Sequence, residues 1–270
     1  MVLVYVSSTL LWAYPLEEVL ERSHRLGFQG VEIWAEHLWY YDSKPADICK
    51  LARQLGLSLS LHAASWDLNP CSLNSGIRRA SLLELSRSLV LADQLGAKNV
   101  TVHPGRLTLT AEWLDWHREV LIDSFSILAK EAMERELTLS IEHIEPIKRE
   151  FIVTPVEVNR LLEAIPYPVA TTFDIAHVPL DRSALRFYQE LSSISKIHIS
   201  DATLQRLHLP LGAGEIELTS ILPTLFAAEQ PVVVEGIDFS KQLEVLQANI
   251  RYLQTHHPNV LSPRLESKPI

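Results

Sequence analysis

The chain has 270 residues, with 24 Lys plus Arg against 33 Asp plus Glu, a formal charge of −9 at pH 7. Apolar residues make up 47% and charged residues 21%, a globular composition that excludes a chain dominated by disorder. The length fits one large α/β domain or two small ones, and the acidic balance disfavours nucleic acid as the main partner. No apolar run reaches the roughly 18 residues of a membrane-spanning helix. Met1–Thr9 has no basic segment ahead of its apolar stretch, so it reads as a strand and not a signal peptide. Cys49 and Cys71 sit in no metal-type spacing and make no disulfide framework, so a reducing cytoplasm is expected.

Short apolar runs alternate with longer segments of helical period. Val2–Ser7 reads as a strand and Pro15–Leu26 as a helix, with Pro15 in its first turn and Gly27 at its end. Gly30–Trp34 is the second strand, followed by a helix over Pro45–Leu55 closed by Gly56. Leu57–His62 and a long helix over Ile77–Leu95 come next, then Asn99–His103 and Ala111–Glu134. Leu137–His143 is the fifth strand, with a helix near Pro155–Ala164, and Val169–Asp174 the sixth, with a helix near Arg182–Leu191. Lys196–Ser200 is the seventh, followed by a helix near Leu218–Ala227. Pro231–Glu235 is the eighth, and Lys241–Leu253 the last helix. Residues 256–270 hold three prolines and little period and read as an irregular tail.

Strict alternation of strand and helix implies a parallel sheet, and eight such units of about 34 residues each make a single-domain α/β (β/α)8 TIM barrel over residues 1–255. The competing open sheet lacks a G-x-G-x-x-G after its first strand. In a barrel the active site gathers at the C-terminal strand ends. Glu32, His62, His103, Glu142 with His143, Asp174 with His177, His198 with Asp201, and Glu235 all fall at or near such ends. So many acidic and imidazole groups at one rim would repel or titrate unless a cation sat among them. Glu142, Asp174, His198 and Glu235, from four neighbouring strands, form the best single set. Its oxygen-rich composition suits Mn²⁺ or Mg²⁺, with Zn²⁺ and Co²⁺ still open. Trp12, Trp34 and Trp66, near the ends of the first three strands, place aromatic faces at the mouth, suited to covering an apolar ligand face and keeping out water.

The order Glu142 in SIEH, Asp174 and His177 in FDIAH, His198 and Asp201 in HISD, then HLPLGAGEI and Glu235 in VVVEG, resembles the xylose-isomerase-like TIM-barrel superfamily. That group holds sugar and sugar-phosphate isomerases and epimerases, inosose dehydratases and the endonuclease IV (AP endonuclease family 2) abasic-site nucleases. For the isomerases and epimerases the resemblance implies one divalent cation on Glu142, Asp174, His198 and Glu235. Glu142 and Glu235 then remove and return a proton through a metal-stabilised enediolate of a sugar or sugar phosphate. His62, His103, His177, His208 and Arg206 become substrate contacts, Arg206 suiting a phosphate, and Gly212 and Gly214 let backbone approach the ligand. Related isomerases form dimers or tetramers, which leaves a homo-oligomer open.

The nucleases are the alternative. They hold three metals, chiefly zinc, and much of their ligand set can be placed on His62, His103, Glu142, Asp174, His177, His198, His208 and Glu235. Residues 67–105 also resemble the corresponding nuclease stretch. Against this, the nuclease Asp-x-His is replaced by Arg206-Leu207-His208, and an arginine repels a cation. Arg78, Arg79, Arg106, Lys148 and Arg149 are scattered and form no dense phosphate-binding stretch. A third reading is a metal- or sugar-binding barrel without catalysis.

Overall fold

The computed structural model of the chain describes residues 3–109 and 112–261. Among these, eight parallel strands close into a barrel: β1 (Val4–Ser7), β2 (Gly30–Trp34), β3 (Ser58–His62), β4 (Asn99–Val102), β5 (Thr138–Glu142), β6 (Ala170–Asp174), β7 (Ile194–Ile199) and β10 (Val232–Val234), with β1 paired to both β2 and β10. The expected (β/α)8 architecture is therefore present. Two further strands, β8 (Asp201–Thr203) and β9 (Arg206–Leu209), form an antiparallel hairpin outside the barrel. The helices are α1 (Leu16–Leu26), α2 (Ala35–Tyr40), α3 (Pro45–Leu55), α4 (Ser75–Leu95), α5 (Leu114–Glu134), α6 (Pro155–Ala164), α7 (Ala184–Glu190), α8 (Leu218–Ala227) and α9 (Glu244–His256). None of the described helices is long and apolar enough to cross a membrane.

The strands carry two distinct faces. Apolar positions such as Val31, Ile33, Leu61, Val100, Leu139, Ile141, Phe173, Ile197 and Ile199 join one buried core. The alternate positions are polar and buried as well: Glu32, Ser60, His62, Thr101, Ser140, Glu142, Thr172, Asp174, Lys196 and His198. A strand repeats every two residues, so β2, β3, β4, β5 and β7 send mainly apolar groups to the helices and polar groups into the barrel, whereas β10, Val232–Val234, is apolar on both faces. Buried polar groups need partners, and here they find one another. Thr101 and Thr172 hydroxyls lie 2.9 Å apart, Thr172 donates to Ser140 at 2.7 Å, and Ser140 meets Ser195 at 2.9 Å. Asn99 Nδ2 donates to Ser195 Oγ at 2.9 Å.

Local chemistry sets the helix limits. α4 starts two residues earlier than its apolar period suggests, because the Asn74 side chain accepts from the N–H groups of Gly76 and Ile77 and caps it. The last helix begins at Glu244 and runs to His256, three residues beyond the expected end at Leu253. The expected start of the Ala111–Glu134 helix, the first residue of the Val2–Ser7 strand and residues 262–270 of the expected tail lie outside the described residues.

Candidate metal centre and its mouth

Register brings the acidic and imidazole groups to one level. Asp174 of β6 pairs with His198 of β7, and Val234, just before Glu235, pairs with Ile199. One ligand atom from each of Glu142, Asp174, His198 and Glu235 lies within 4.8 Å of the others, and all four residues are buried. His198 Nδ1 is 3.0 Å from Glu142 Oε1 and 3.0 Å from Glu235 Oε2. Asp174 is anchored on the rim side, where its Oδ1 accepts from Ala176 N at 2.7 Å. The oxygens left over, Glu142 Oε2, Asp174 Oδ2 and Glu235 Oε2, are buried without a hydrogen bond.

Electrostatics sharpen the conflict. Burial opposes ionisation of each carboxyl. Burial is the largest single influence on Glu142 and Glu235, but the charge of His198 and the hydrogen bonds of the surrounding imidazoles together outweigh it and hold both below the usual carboxylate range. For Asp174 burial wins: against the pull of His177, the charges of Glu235 and Glu142 help push its carboxyl well above its ordinary value. Burial would also lower His198, but Glu235, Glu32 and Glu142 hold it well above the usual imidazole value. Protons on Asp174 and His198 thus stand in for positive charge that the site requires. Three carboxylates and one imidazole with orphaned oxygens fit a divalent cation of hard or borderline type.

Two further groups flank this centre, each sharing one of its carboxylates. Glu142 Oε2 lies 3.4 Å from His62 Nε2 and 3.2 Å from His103 Nε2. Asp174 Oδ2 lies 3.6 Å from His177 Nε2 and 4.0 Å from His208 Nδ1. Both triads also meet the spacing of a metal-holding group. His62 and His177 are buried and oriented by backbone, their Nδ1 atoms lying 2.9 Å from Ala63 O and 2.8 Å from His143 O. Burial would depress His177, but Asp174, Glu142 and Glu145 raise it to about 9. His103 and His208 open to solvent, with side chains 35% and 32% exposed.

A cleft of about 150 Å³ lies against Glu235, lined by Thr9, Trp34, Trp66, His208, Gly236 and Ile237. Trp34 stacks on His62 at 3.8 Å with the rings 8° from parallel. Trp66 is half-exposed, and Trp12 packs behind it at 5.1 Å. Trp12 does not line this cleft; it is buried and stacks on His37 at 4.6 Å. Arg206 is exposed and lines a neighbouring cavity of about 670 Å³ with Glu145 and His177.

Three expectations need correction. Gly212 and Gly214 serve the chain's own packing. A Cβ on Gly214 would come within 2.4 Å of Asp201 Oδ1, and one on Gly212 within 2.7 Å of Tyr252. Asp201 is no rim ligand either; its carboxylate accepts from the backbone N–H groups of Ala202, Gly212, Gly214 and Ile216 and ties down that loop. His143 also turns away from the centre, accepting from Asp174 N at 3.1 Å and packing on Phe173 and Phe187.

The residues that sequence reasoning missed are Lys196 and the role of Glu32. Both are fully buried inside the barrel as an ion pair, and Glu32 Oε1 reaches to 2.8 Å from His198 Nε2. The signal was parity, since Lys196 stands two residues before His198 on the same face of one strand.

Residues 20–256 match the family described as xylose isomerase-like TIM barrel, and the chain belongs to it. It is 25% identical over 232 residues to an uncharacterized protein of Methanocaldococcus jannaschii, covering 83% of this chain and 84% of that protein. Among solved structures it is similar to a D-tagatose 3-epimerase-like protein, with a TM-score of 0.80 and 21% identity over 96% of this chain and 98% of the other. It is also similar to an AP endonuclease, family 2 from Brucella melitensis, with a TM-score of 0.73 and 18% identity over 96% and 99% of the two chains. At these identities the structural likenesses show the fold.

Proposed function

We propose that the protein is a divalent-metal-dependent isomerase or epimerase of a sugar or sugar phosphate, acting in the cytoplasm. The observation that carries this reading is the pair Glu142 and Glu235, each 3.0 Å from one nitrogen of His198 in a buried four-residue set beside an aromatic cleft. The likeness to a D-tagatose 3-epimerase-like protein supports a small sugar as the substrate class. Mn²⁺ suits the oxygen-rich set best, with Mg²⁺, Co²⁺ and Zn²⁺ as alternatives. When bound, such a cation polarises the carbonyl of an α-hydroxy carbonyl sugar and acidifies the neighbouring C–H. By the likeness to the epimerases, Glu142 and Glu235 flank the substrate on opposite faces. One takes the proton at that carbon, leaving an enediolate of the sugar, and the other returns a proton. Both carboxyls are held below the usual carboxylate range, so the one that removes the proton acts as a carboxylate, and the one that returns a proton first takes one up from solvent. His103 and His208, the open members of the flanking groups, meet hydroxyls, while His62 and His177 orient Glu142 and Asp174. Trp34 and Trp66 cover the ring and exclude water, with Trp12 behind Trp66, and Arg206 offers a fork to a phosphate in the adjoining cavity.

The test is solvent deuterium exchange at the carbon next to the carbonyl of a ketohexose panel that includes D-tagatose, with and without the phosphate. Mn²⁺-loaded protein should exchange, and Glu142→Gln and Glu235→Gln should each lose about 10²–10⁴-fold while staying folded. Full exchange in either variant removes that residue from the pair.

One observation favours a second reading, the abasic-site nuclease: three groups of metal-holding spacing converge here. Arg206 and the lack of a dense basic stretch weigh against it. Zinc-dependent incision of an abasic duplex at physiological salt would promote it.

A further inference from the structure

We propose that Glu32 and Lys196 are positioning residues that hold the His198 imidazole with its Nδ1 lone pair facing the candidate metal centre; the inference rests on the metal reading above. An imidazole has two nitrogens, and the partner of one decides which of them is free to ligate. His198 is fully buried, so water cannot make that choice. Its Nδ1 faces Glu142 and Glu235 at the centre. Its Nε2 faces Glu32 Oε1 at 2.8 Å, within hydrogen-bond reach, and neither of these two buried atoms has another hydrogen-bond partner. A carboxylate accepts and never donates when ionised, so Glu32 keeps a proton on Nε2, and Nδ1 is the nitrogen that gives up its proton when a cation takes the place beside Glu142 and Glu235.

Lys196 makes that arrangement one-sided. Its ammonium pairs with Glu32 Oε2 and also reaches Leu61 O at 3.3 Å, and Ser60 Oγ lies 3.3 Å from the same Glu32 oxygen. Oε2 is thereby engaged, and Oε1 is left for His198. A buried ion pair is a poor way to add stability, since apolar residues of similar volume often do as well or better. Orientation of a ligand explains why charge is placed where a leucine would pack.

The experiment is a Mn²⁺ titration of chelator-stripped full-length protein, alongside thermal unfolding and ¹⁵N-histidine NMR of the Mg²⁺-loaded form. In the wild type Mn²⁺ binds, and the His198 signal reports a proton on Nε2. The apolar double variant Glu32→Leu with Lys196→Met avoids a lone buried charge. It should stay folded, bind Mn²⁺ about 10- to 100-fold more weakly, and show a mixed His198 tautomer. Glu32→Asp, which keeps the charge but shortens its reach, should weaken Mn²⁺ binding in the same direction, and it decides the matter if the double variant does not fold. Folded variants that bind Mn²⁺ within twofold of wild type, with the tautomer unchanged, overturn the inference alone. A wild type that takes up no Mn²⁺ overturns the metal reading and the inference with it.

Discussion

The central set and the two flanking triads use the same side-chain types in different surroundings. All four residues of the centre are buried, whereas each triad ends in a histidine about one-third exposed. Burial removes water as an alternative partner, so the centre must either hold a cation or carry compensating protons, as Asp174 and His198 do. The outer histidines face no such constraint and can meet a substrate that comes and goes. His37 supplies a reference for burial without carboxylates. Its main polar contact is Tyr14 O at 2.9 Å, and burial pushes it down to about 4, opposite to His198.

This contrast can be broken at three levels. The largest effect is expected at the centre: His198→Ala should weaken Mn²⁺ binding by more than about 100-fold, beyond what loss of an outer partner causes, while His103→Ala leaves it within a few-fold. Elemental analysis of the purified chain should then give one tightly held ion, and three ions with loss of two in His103→Ala and His208→Ala would erase the distinction. A smaller effect belongs to the open histidines, where His103→Ala and His208→Ala should each raise KM about tenfold, the scale of one lost hydrogen bond to a charged or polar substrate group, with Mn²⁺ content unchanged. A fall in kcat alone would move them into the proton-transfer machinery. The smallest concerns His37. Its value in the fold lies below that of the unfolded chain, so the fold is favoured above pH 6.5 and loses stability as pH falls towards 4. The loss should be about 1 kcal/mol between pH 6.5 and about pH 5.5, and His37→Phe, which keeps the stack on Trp12, should flatten that limb in pH-dependent unfolding.

The barrel was legible because short apolar runs alternate regularly with segments of helical period and several helices end on glycine; Gly27 and Gly56, with φ of 88° and 65°, stop α1 and α3 where the periodicity stops. The hairpin β8–β9 was not legible. Its strands are three and four residues long, their register shifts, and Asp201 rather than a hydrophobic pattern holds the loop that follows. α2 escaped because its six residues follow β2 directly, with no turn signal between them. The acidic side chains of the centre stood out because carboxylates inside apolar strands need an explanation. Lys196 did not, because a lysine opening a strand reads as a solvated end, and only its partner Glu32, 164 positions away, shows otherwise.

The two-faced staves carry a built-in form of proofreading. Sliding β4 or β5 by a single residue would turn its hydroxyls and carboxylates out among the leucines of the helical shell and its apolar side chains into the hydroxyl column of Thr101, Thr172, Ser140 and Ser195. Misthreaded barrels of this sequence are therefore penalised on both sides of the wall at once.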